Sequence, residues 1–164
     1  MPDAAPMIYQ YYGLWIQTSA ILVSGIGVLI TMSVQRGIAR RRATLDFIVL
    51  QQTNTALTEQ RREFVELREK GNLEQWATKA NLASREATVI RAVLNTYELV
   101  AIGIVEKTMD EDLYKRWYRT SVVEDWMTVK AFVGVYQRAH NPKLFCEFEA
   151  LARKWATNDE RKHV

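Results

Sequence analysis

The feature that most constrains this chain is an uncharged stretch near its start. No Asp, Glu, Lys or Arg occurs between Asp3 and Arg36, and the segment from Leu14 to Met32 is mainly apolar. As an α-helix that rises about 1.5 Å per residue, such a segment is long enough to cross the hydrocarbon core of a bilayer. The sequence therefore predicts a membrane-spanning helix.

The charges on the two sides of this stretch differ. Asp3 precedes it, whereas a basic cluster follows it, formed by Arg36, Arg40, Arg41 and Arg42. Basic residues next to a spanning helix are enriched on the cytoplasmic side. The asymmetry predicts an N-terminus outside, a cytoplasmic C-terminal part, and contact between the four arginines and anionic lipid headgroups.

Two other interpretations of the stretch compete with the anchor. A cleaved signal peptide would need a basic start and a shorter apolar core. A buried core helix is usually shorter and is seldom preceded by a group of aromatic residues, whereas this segment begins with Tyr9, Tyr11, Tyr12 and Trp15. Aromatic rings of this kind favour the headgroup region, so the anchor remains the better interpretation.

A stripe of small and polar residues runs along the predicted anchor. Its members alternate in spacing between three and four residues, as in one face of a left-handed helix pair: Gln17, Ala20, Ser24, Gly27 and Thr31. Small residues permit close approach of two helices, which favours self-association or pairing with another membrane helix. The alternative is that Ser, Thr and Gly are simply common in spanning helices.

The rest of the chain predicts helices only. The chain has only seven Gly and three Pro, and many strong helix formers, which is typical of an all-α protein. We predict a single-pass transmembrane helix that continues into a cytoplasmic bundle of about five helices. The predicted segments are a short extracytoplasmic piece (1–13), the transmembrane helix (14–34), charged juxtamembrane helices (35–70), a helical domain (71–157) and a polar, frayed tail (158–164).

Capping residues predict the boundaries of the first cytoplasmic helices. Thr53-Asn54-Thr55 offers N-caps for a helix that runs to Lys70 and ends at Gly71. Ser84 precedes a second helix, in which Ile90, Leu94, Tyr97, Ala101 and Ile104 share one face.

The C-terminal part predicts three more helices. Asp110 is expected to cap a short helix, and the motif from Ser121 to Glu124 matches a capping box that opens another. Asn141-Pro142 is expected to end that helix and to start the last one. Trp117 and Tyr114 would form a docking patch if both proved exposed.

Several segments resemble a known family. They are RRRATLDFI at 40–48, LNTYELVAIGI at 94–104, LYKRWYRTSVVEDW at 113–126 and FEALARKW at 148–155. The resemblance is to small bacterial and prophage proteins that have an N-terminal membrane helix and a helical cytoplasmic domain, catalogued only as a domain of unknown function. It covers residues 10–157. It implies this fold and a bacterial inner-membrane location, but no activity and no ligand.

A polar cluster is the strongest candidate site in the sequence. Asn95 and Glu98 lie one turn apart beside an apolar helix face, and Arg42, Arg91 and Arg138 are possible partners of Glu98. A buried carboxylate needs such a partner, so a structural Glu98–Arg bridge is the simpler account. The alternative is a ligand or metal site that combines Glu98 with Asp110 or Asp112.

Catalytic motifs are missing from the sequence. The two histidines, His140 and His163, are isolated, and the single cysteine, Cys146, lies among apolar residues and is expected to be buried. We predict no catalytic residue, no metal and no cofactor. The net charge of +3 is too small to indicate a nucleic-acid partner.

The leading functional hypothesis is therefore a membrane-tethered, non-enzymatic protein that binds a partner protein or itself. The alternative is a membrane-anchored small-ligand sensor or enzyme with a polar pocket around Arg91, Asn95, Glu98 and Arg138. A pore former is disfavoured by the single span and the large part that follows it.

Overall fold

A computed structural model describes the backbone of residues 5–163 and the side chains of residues 12, 13 and 15–163. Asp3 and the side chains of Tyr9, Tyr11 and Leu14 lie outside this part. Within it the chain forms α-helices and short 3₁₀ helices, without a strand. The α-helices are α1 (Ala5–Thr53), α2 (Thr55–Lys70), α3 (Arg85–Val105), α4 (Glu111–Ala139) and α5 (Cys146–Trp155), and the 3₁₀ helices are Leu73–Ala77 and Glu160–Lys162.

The chain divides into two units, one ending at Ala39 and the other beginning at Arg40. In the first unit, α1 exposes a series of large apolar side chains, among them Ile16, Ile21, Leu22, Val23 and Leu29. The helix is long and apolar enough to span a membrane, and the apolar window that qualifies is not buried. This N-terminal apolar helix could therefore anchor the protein in a membrane.

α3 passes the same length and composition test but has a different role. Half of its apolar window is buried. Val93, Leu94 and Tyr97 face the interior of the second unit, where they are less than a tenth exposed. Because a core helix of a globular unit is also apolar, α3 is best described as the central core helix of this unit.

The core of the second unit is built around aromatic rings. Phe148 of α5 is fully buried, and the ring of Tyr97 stacks on it with centroids 4.6 Å apart. Trp126 of α4 meets Phe148 edge-on at 5.2 Å. Such stacked and edge-on pairs stabilise a small core beyond the area that they bury. They join α3, α4 and α5.

The predicted caps of three helices are confirmed. Asn54, Ser84 and Asp110 accept hydrogen bonds from the backbone N–H groups three residues ahead, at 3.0 to 3.2 Å. Gly71 follows α2 with a φ of 71°, a conformation that a residue with a Cβ rarely adopts. The boundaries of α2 coincide with the predicted ones.

Two predicted boundaries in the C-terminal part are wrong. α4 runs unbroken through the expected capping box, because Val122, Val123 and Trp126 continue a buried face that begins with Tyr114. Packing of a continuous apolar face outweighs a local capping signal. The last helix begins at Cys146 rather than at Pro142.

The delay of α5 has a local cause. The side chain of Asn141 accepts a hydrogen bond from the N–H of Lys143, and the carbonyl of Asn141 accepts one from Leu144, so these residues close a turn. Phe145 then adopts a left-handed conformation, with φ of 60°, and is buried. Its next neighbour, Cys146, is exposed, contrary to prediction.

Part of the predicted polar tail is helical in the structure. Glu160 starts a short 3₁₀ helix and forms an ion pair with Arg119 of α4. The N–H of Thr157 lowers the pKa of Glu160, and Arg119 acts in the same direction.

Candidate functional site: a buried ionic network and an adjoining cavity

A carboxylate is buried at the centre of the second unit. The side chain of Asp125, on α4, is 1% exposed. It accepts hydrogen bonds from the hydroxyl of Tyr97 at 2.7 Å, from Arg68 at 2.9 Å and from Arg61. Arg61 and Arg68 lie about two turns apart on α2 and therefore on one face of it. Because a buried charge is costly unless it is paired and hydrogen-bonded, these three donors are what permits Asp125 in the core.

A cavity of about 90 Å³ adjoins this network. It lies within the second unit and shares Arg61 and Tyr97 with the Asp125 network. The end of α1 and helices α2, α3 and α4 all contribute to its wall, which consists of Gln51, Leu57, Gln60, Arg61, Val93, Thr96, Tyr97, Tyr114 and Tyr118.

Two polar atoms of the lining residues are buried without a partner. Among the residues whose side chains are described, neither the amide oxygen of Gln51 nor the hydroxyl of Tyr114 makes a hydrogen bond. Tyr114 is fully buried. Neither atom has surface that a water molecule in the cavity could reach, and Arg40 Nε and Trp126 Nε1, which lie outside the cavity wall, are likewise buried without a partner among the described side chains.

The ionisable side chains of the wall are one arginine and three tyrosines. Burial raises the pKa values of Tyr97, Tyr114 and Tyr118, so all three phenols stay neutral at ordinary pH. Burial by itself would lower the pKa of Arg61, but Tyr97 and Asp125 outweigh it, and the net shift is upward. The wall therefore offers one cation and several neutral hydrogen-bonding groups.

The predicted polar cluster is not formed. Arg91 donates to the backbone oxygens of Ala87 and Leu82 at 3.2 Å, within its own region of the chain. Asn95 and Arg138 are exposed. Among the described residues none of the predicted arginines pairs with Glu98. The expected Glu98–Arg bridge is therefore wrong.

Glu98 instead caps α5. Its carboxylate accepts the backbone N–H groups of Glu147 at 3.3 Å and Phe148 at 2.7 Å. Phe145, the residue at the N-cap of α5, supplies no side-chain cap, so a carboxylate of α3 satisfies the free N–H groups of another helix. Partial burial raises the pKa of Glu98, and these two N–H groups only partly oppose that rise.

The residues of the predicted anchor stripe and of the predicted basic cluster all belong to α1. Gln17, Ala20, Ser24, Gly27 and Thr31 are exposed, and the hydroxyl of Thr31 donates to the carbonyl of Gly27 at 2.9 Å.

Arg36 is exposed in the first unit. In the second unit, Arg41 pairs with Asp110 at 3.3 Å and Arg42 approaches Asp46 at 4.0 Å. Arg40 is half-buried.

The other candidate residues from the sequence do not form a common site in the structure. Trp117 is 60% exposed, whereas Tyr114 is fully buried, so they do not form a joint docking patch. His140 lies at the C-cap of α4 and its ring contacts Tyr136. Asp110 acts as an N-cap, and among the residues that the structure describes no three metal-ligating side chains come together.

The sequence analysis did not predict that these residues form a cavity and a buried ionic network. One residue of the network, Asp125, does carry a signal in the sequence. Asp125 lies between Val122 and Val129 on the inward face of α4, and a carboxylate in an apolar stripe indicates a buried ionic contact. Gln51 and Tyr114 carry no comparable signal, because their position in a cavity wall depends on how four helices pack.

Comparison with known proteins identifies a family but no characterised relative. No curated protein and no solved structure matches the chain. The model of one family, described as a domain of unknown function (DUF4760), matches residues 7–155. This match covers most of the sequence and agrees with the resemblance seen in its motifs. The chain therefore belongs to the DUF4760 family, a domain of unknown function.

Proposed function

We propose that this protein is a membrane-tethered, non-enzymatic interaction module on the cytoplasmic face of a bacterial inner membrane. The N-terminal part of α1 would hold the helical unit at the membrane, where tethering raises the local concentration of binding partners. The observation that carries the proposal is an exposed apolar strip on α3, formed by Leu99, Ile102 and Val105, which are 60%, 43% and 60% exposed.

The strip has the pattern of a helix-binding surface. Its members recur every three residues, so they lie along one side of α3. Contiguous exposed apolar side chains on a soluble unit mark interaction sites more often than single ones do. Glu106, which is exposed and lies about one turn after Ile102, gives the strip an acidic border.

This border favours one kind of occupant. A membrane surface with anionic headgroups would be repelled by it, and a second copy of the strip would bring two acidic borders together. An amphipathic helix of another protein would fit better: its apolar face would contact the strip, and Lys or Arg residues beside that face would contact the acidic border. We propose that such a helix binds α3.

The first experiment tests the strip in the full-length chain in its membrane. A photo-crosslinking amino acid at Ile102 should give a discrete product with another protein, and the crosslinked peptide should show apolar residues at helical spacing flanked by basic ones. Lys79, which is also exposed, provides the control position. The change Leu99→Asp should remove the product.

Three outcomes would overturn the proposal: crosslinks to lipid only, crosslinks to a second copy of the chain, or the same products from Ile102 and Lys79. Absence of any protein product at Ile102 would count equally against it.

Self-association through the anchor stripe is a separate part of the proposal. Gly27 lies on the stripe and Gly25 on the opposite side of α1, and a Cβ at either position meets nothing within 4 Å in this structure. Gly27→Ile should therefore weaken self-association measured by energy transfer between labelled copies, because it blocks close approach of a second helix. Gly25→Ile is the matched control, and equal effects of the two changes would refute the stripe as the contact.

The proposed orientation can be tested with a natural probe. Cys146 is the single cysteine of the chain and is exposed. Burial and nearby acidic groups raise the pKa of its thiol, so labelling should be done at mildly alkaline pH. A membrane-impermeant maleimide should label Cys146 only after the cells are permeabilised. Labelling of intact cells would reverse the proposed orientation.

The proposed setting also includes a phage-related role, which rests on the resemblance to prophage proteins alone. Of the four basic residues after the apolar stretch, the exposed Arg36 and Arg42 would contact anionic headgroups, each contributing about 1 kcal/mol near the surface, whereas Arg40 is half-buried and Arg41 pairs with Asp110.

A further inference from the structure

The helix α2 has a smaller apolar contact with the rest of the helical unit than its neighbours have. It has 16 residues, of which Phe64 is the single buried one, and Leu57, Val65 and Leu67 are half-buried. The 10 residues of α5, by contrast, include four buried ones: Phe148, Leu151, Ala152 and Trp155. Because helices in proteins are stabilised mainly by the burial of an apolar face, α2 has the weaker apolar attachment.

Packing beneath α2 is also incomplete. The cavity of about 90 Å³ lies where α2 meets α3, and residues of both helices line it: Leu57, Gln60, Arg61, Val93, Thr96 and Tyr97. Atoms that border a void lose the dispersion contacts that close packing would give them. The cavity therefore weakens the contact between the first half of α2 and α3.

Ionic contacts hold α2 on the unit instead. Half of its residues are charged, and two of them, Arg61 and Arg68, bind the carboxylate of Asp125 on α4, which is 1% exposed. Glu63 of α2 pairs with Arg85, but Arg85 is 78% exposed, and ion pairs at the surface contribute little. The ionic attachment of α2 therefore depends on one buried carboxylate.

The backbone at both ends of α2 departs from the helical conformation. Asn54, the one residue between α1 and α2, is extended, with φ of −79° and ψ of 111°. Gly71 and Asn72, which follow α2, have φ values of 71° and 55°. Gly and Asn adopt such conformations at lower cost than other residues, so these positions can absorb a change in the direction of the chain.

We propose that α2 is a detachable strap of the helical unit: it opens as one segment about its two ends while α3, α4 and α5 stay folded. Opening breaks the two arginine contacts and uncovers the carboxylate of Asp125 together with the ring of Tyr97. The unit would then present an acidic and partly apolar face that the docked α2 hides. The exposed strip on α3 is not covered by α2 in the structure, so this inference does not depend on the proposed partner of that strip.

Hydrogen exchange measured by mass spectrometry tests the strap in the full-length chain in lipid nanodiscs. After correction for intrinsic exchange rates, peptides from α2 (55–70) should exchange about tenfold faster, or more, than peptides from the centre of α3 (90–104), because a segment that opens locally exchanges without unfolding of the core. Low concentrations of urea should change the exchange of α2 only slightly, since local opening exposes less surface than global unfolding.

Variants test the role of the buried carboxylate. Asp125→Asn keeps the size of the side chain but removes its charge, and it should accelerate the exchange of α2 about tenfold further, with a much smaller effect on α3. Glu124→Gln is the matched control, because Glu124 is the adjacent carboxylate, 3.9 Å from Arg68 but 54% exposed, and it should leave both rates unchanged. Phe64→Ala should accelerate the exchange of α2 as well, since it removes the one buried side chain of the helix.

Two outcomes would overturn the proposal. If α2 and α3 exchange at the same rate and with the same dependence on urea, α2 opens only when the whole unit unfolds. If Asp125→Asn accelerates α2, α3 and α5 equally, the carboxylate stabilises the unit as a whole and not the docking of α2. Should Asp125→Asn fail to fold, Arg68→Gln takes its place, because it removes only one of the two contacts and Arg68 is 27% exposed.

Discussion

Asp125 and Tyr114 lie about three turns apart on the same face of α4, and both are buried, yet their environments differ sharply. Asp125 has three hydrogen-bond donors around it, whereas the hydroxyl of Tyr114 has no partner among the described residues. Burial alone therefore does not say what a polar side chain does. A satisfied group holds helices together, whereas a buried polar group without a partner costs free energy.

The largest effect that this contrast predicts is the loss of Asp125. Asp125→Ala leaves Arg61 and Arg68 partly buried without their carboxylate, and breaking a buried ion pair costs about 3–5 kcal/mol. Chemical denaturation of the full-length chain in detergent should show this loss of unfolding free energy. The control is Asp112→Ala, an exposed position on α4, with an expected change below about 0.5 kcal/mol. If Asp125→Ala costs less than about 1 kcal/mol, the paired carboxylate of Asp125 contributes no more to stability than the unpaired hydroxyl of Tyr114, and the contrast between them fails.

A pair of tyrosine variants compares the two environments directly. Tyr97→Phe removes a hydrogen bond to a buried carboxylate and should cost about 2 kcal/mol. Tyr114→Phe removes a hydroxyl that has no partner and should be neutral or stabilising by up to about 1 kcal/mol. Both changes remove the same atom, so thermal unfolding of the two variants side by side isolates the effect of the partner. Equal losses would contradict the contrast.

Much of the fold is predictable from the sequence, because its signals are local. Asn54, Gly71, Ser84 and Asp110 mark helix ends through their own backbone and side-chain chemistry, and the structure confirms them. The expected break at Ser121 is wrong because long-range packing decides it. A capping motif is worth only about 1 kcal/mol, which is less than the burial of a continuous apolar face.

The candidate site is less predictable, because its geometry is not local. Glu98 is correctly singled out as a half-buried carboxylate in need of a partner, but its partners are backbone N–H groups of α5, which no residue pattern reveals. Gln51 and Tyr114 are distant in sequence and line the same cavity only because of how the helical unit packs. Sequence patterns show which residues are polar, but they do not show which polar groups remain unpaired.

Glu98 provides an intermediate case between Asp125 and Tyr114, since it is paired but only partly buried. Glu98→Ala leaves the first N–H groups of α5 without their cap and should cost about 1 kcal/mol. Glu98→Gln keeps an acceptor oxygen and should cost less. Asn95→Ala, at an exposed position about one turn away, is the control. A functional pocket at Glu98 would instead be indicated if both Glu98 variants unfolded normally but lost an activity.

The smallest predicted effect concerns Asp110, a paired carboxylate near the surface. The N–H of Leu113 lowers its pKa below the ordinary value of 3.8, and Arg41 acts in the same direction. A carboxyl group with a lowered pKa stabilises the fold fully well above that value, and the contribution is lost as the pH falls through the pKa of the folded state.

Asp110→Asn keeps the helix cap, because Asn caps as well as Asp, but removes the charge that titrates. The variant should therefore lose about 0.5 kcal/mol at neutral pH, where Asp110 interacts favourably with the helix N-terminus. Its stability should also fall less steeply than that of the unchanged chain as the pH is lowered below 4. Denaturation at a series of pH values measures both. If the stability of the two proteins depends on pH in the same way, Asp110 acts through its cap geometry alone and its charge adds nothing. Ion pairing would then stabilise this fold only at carboxylates as deeply buried as Asp125.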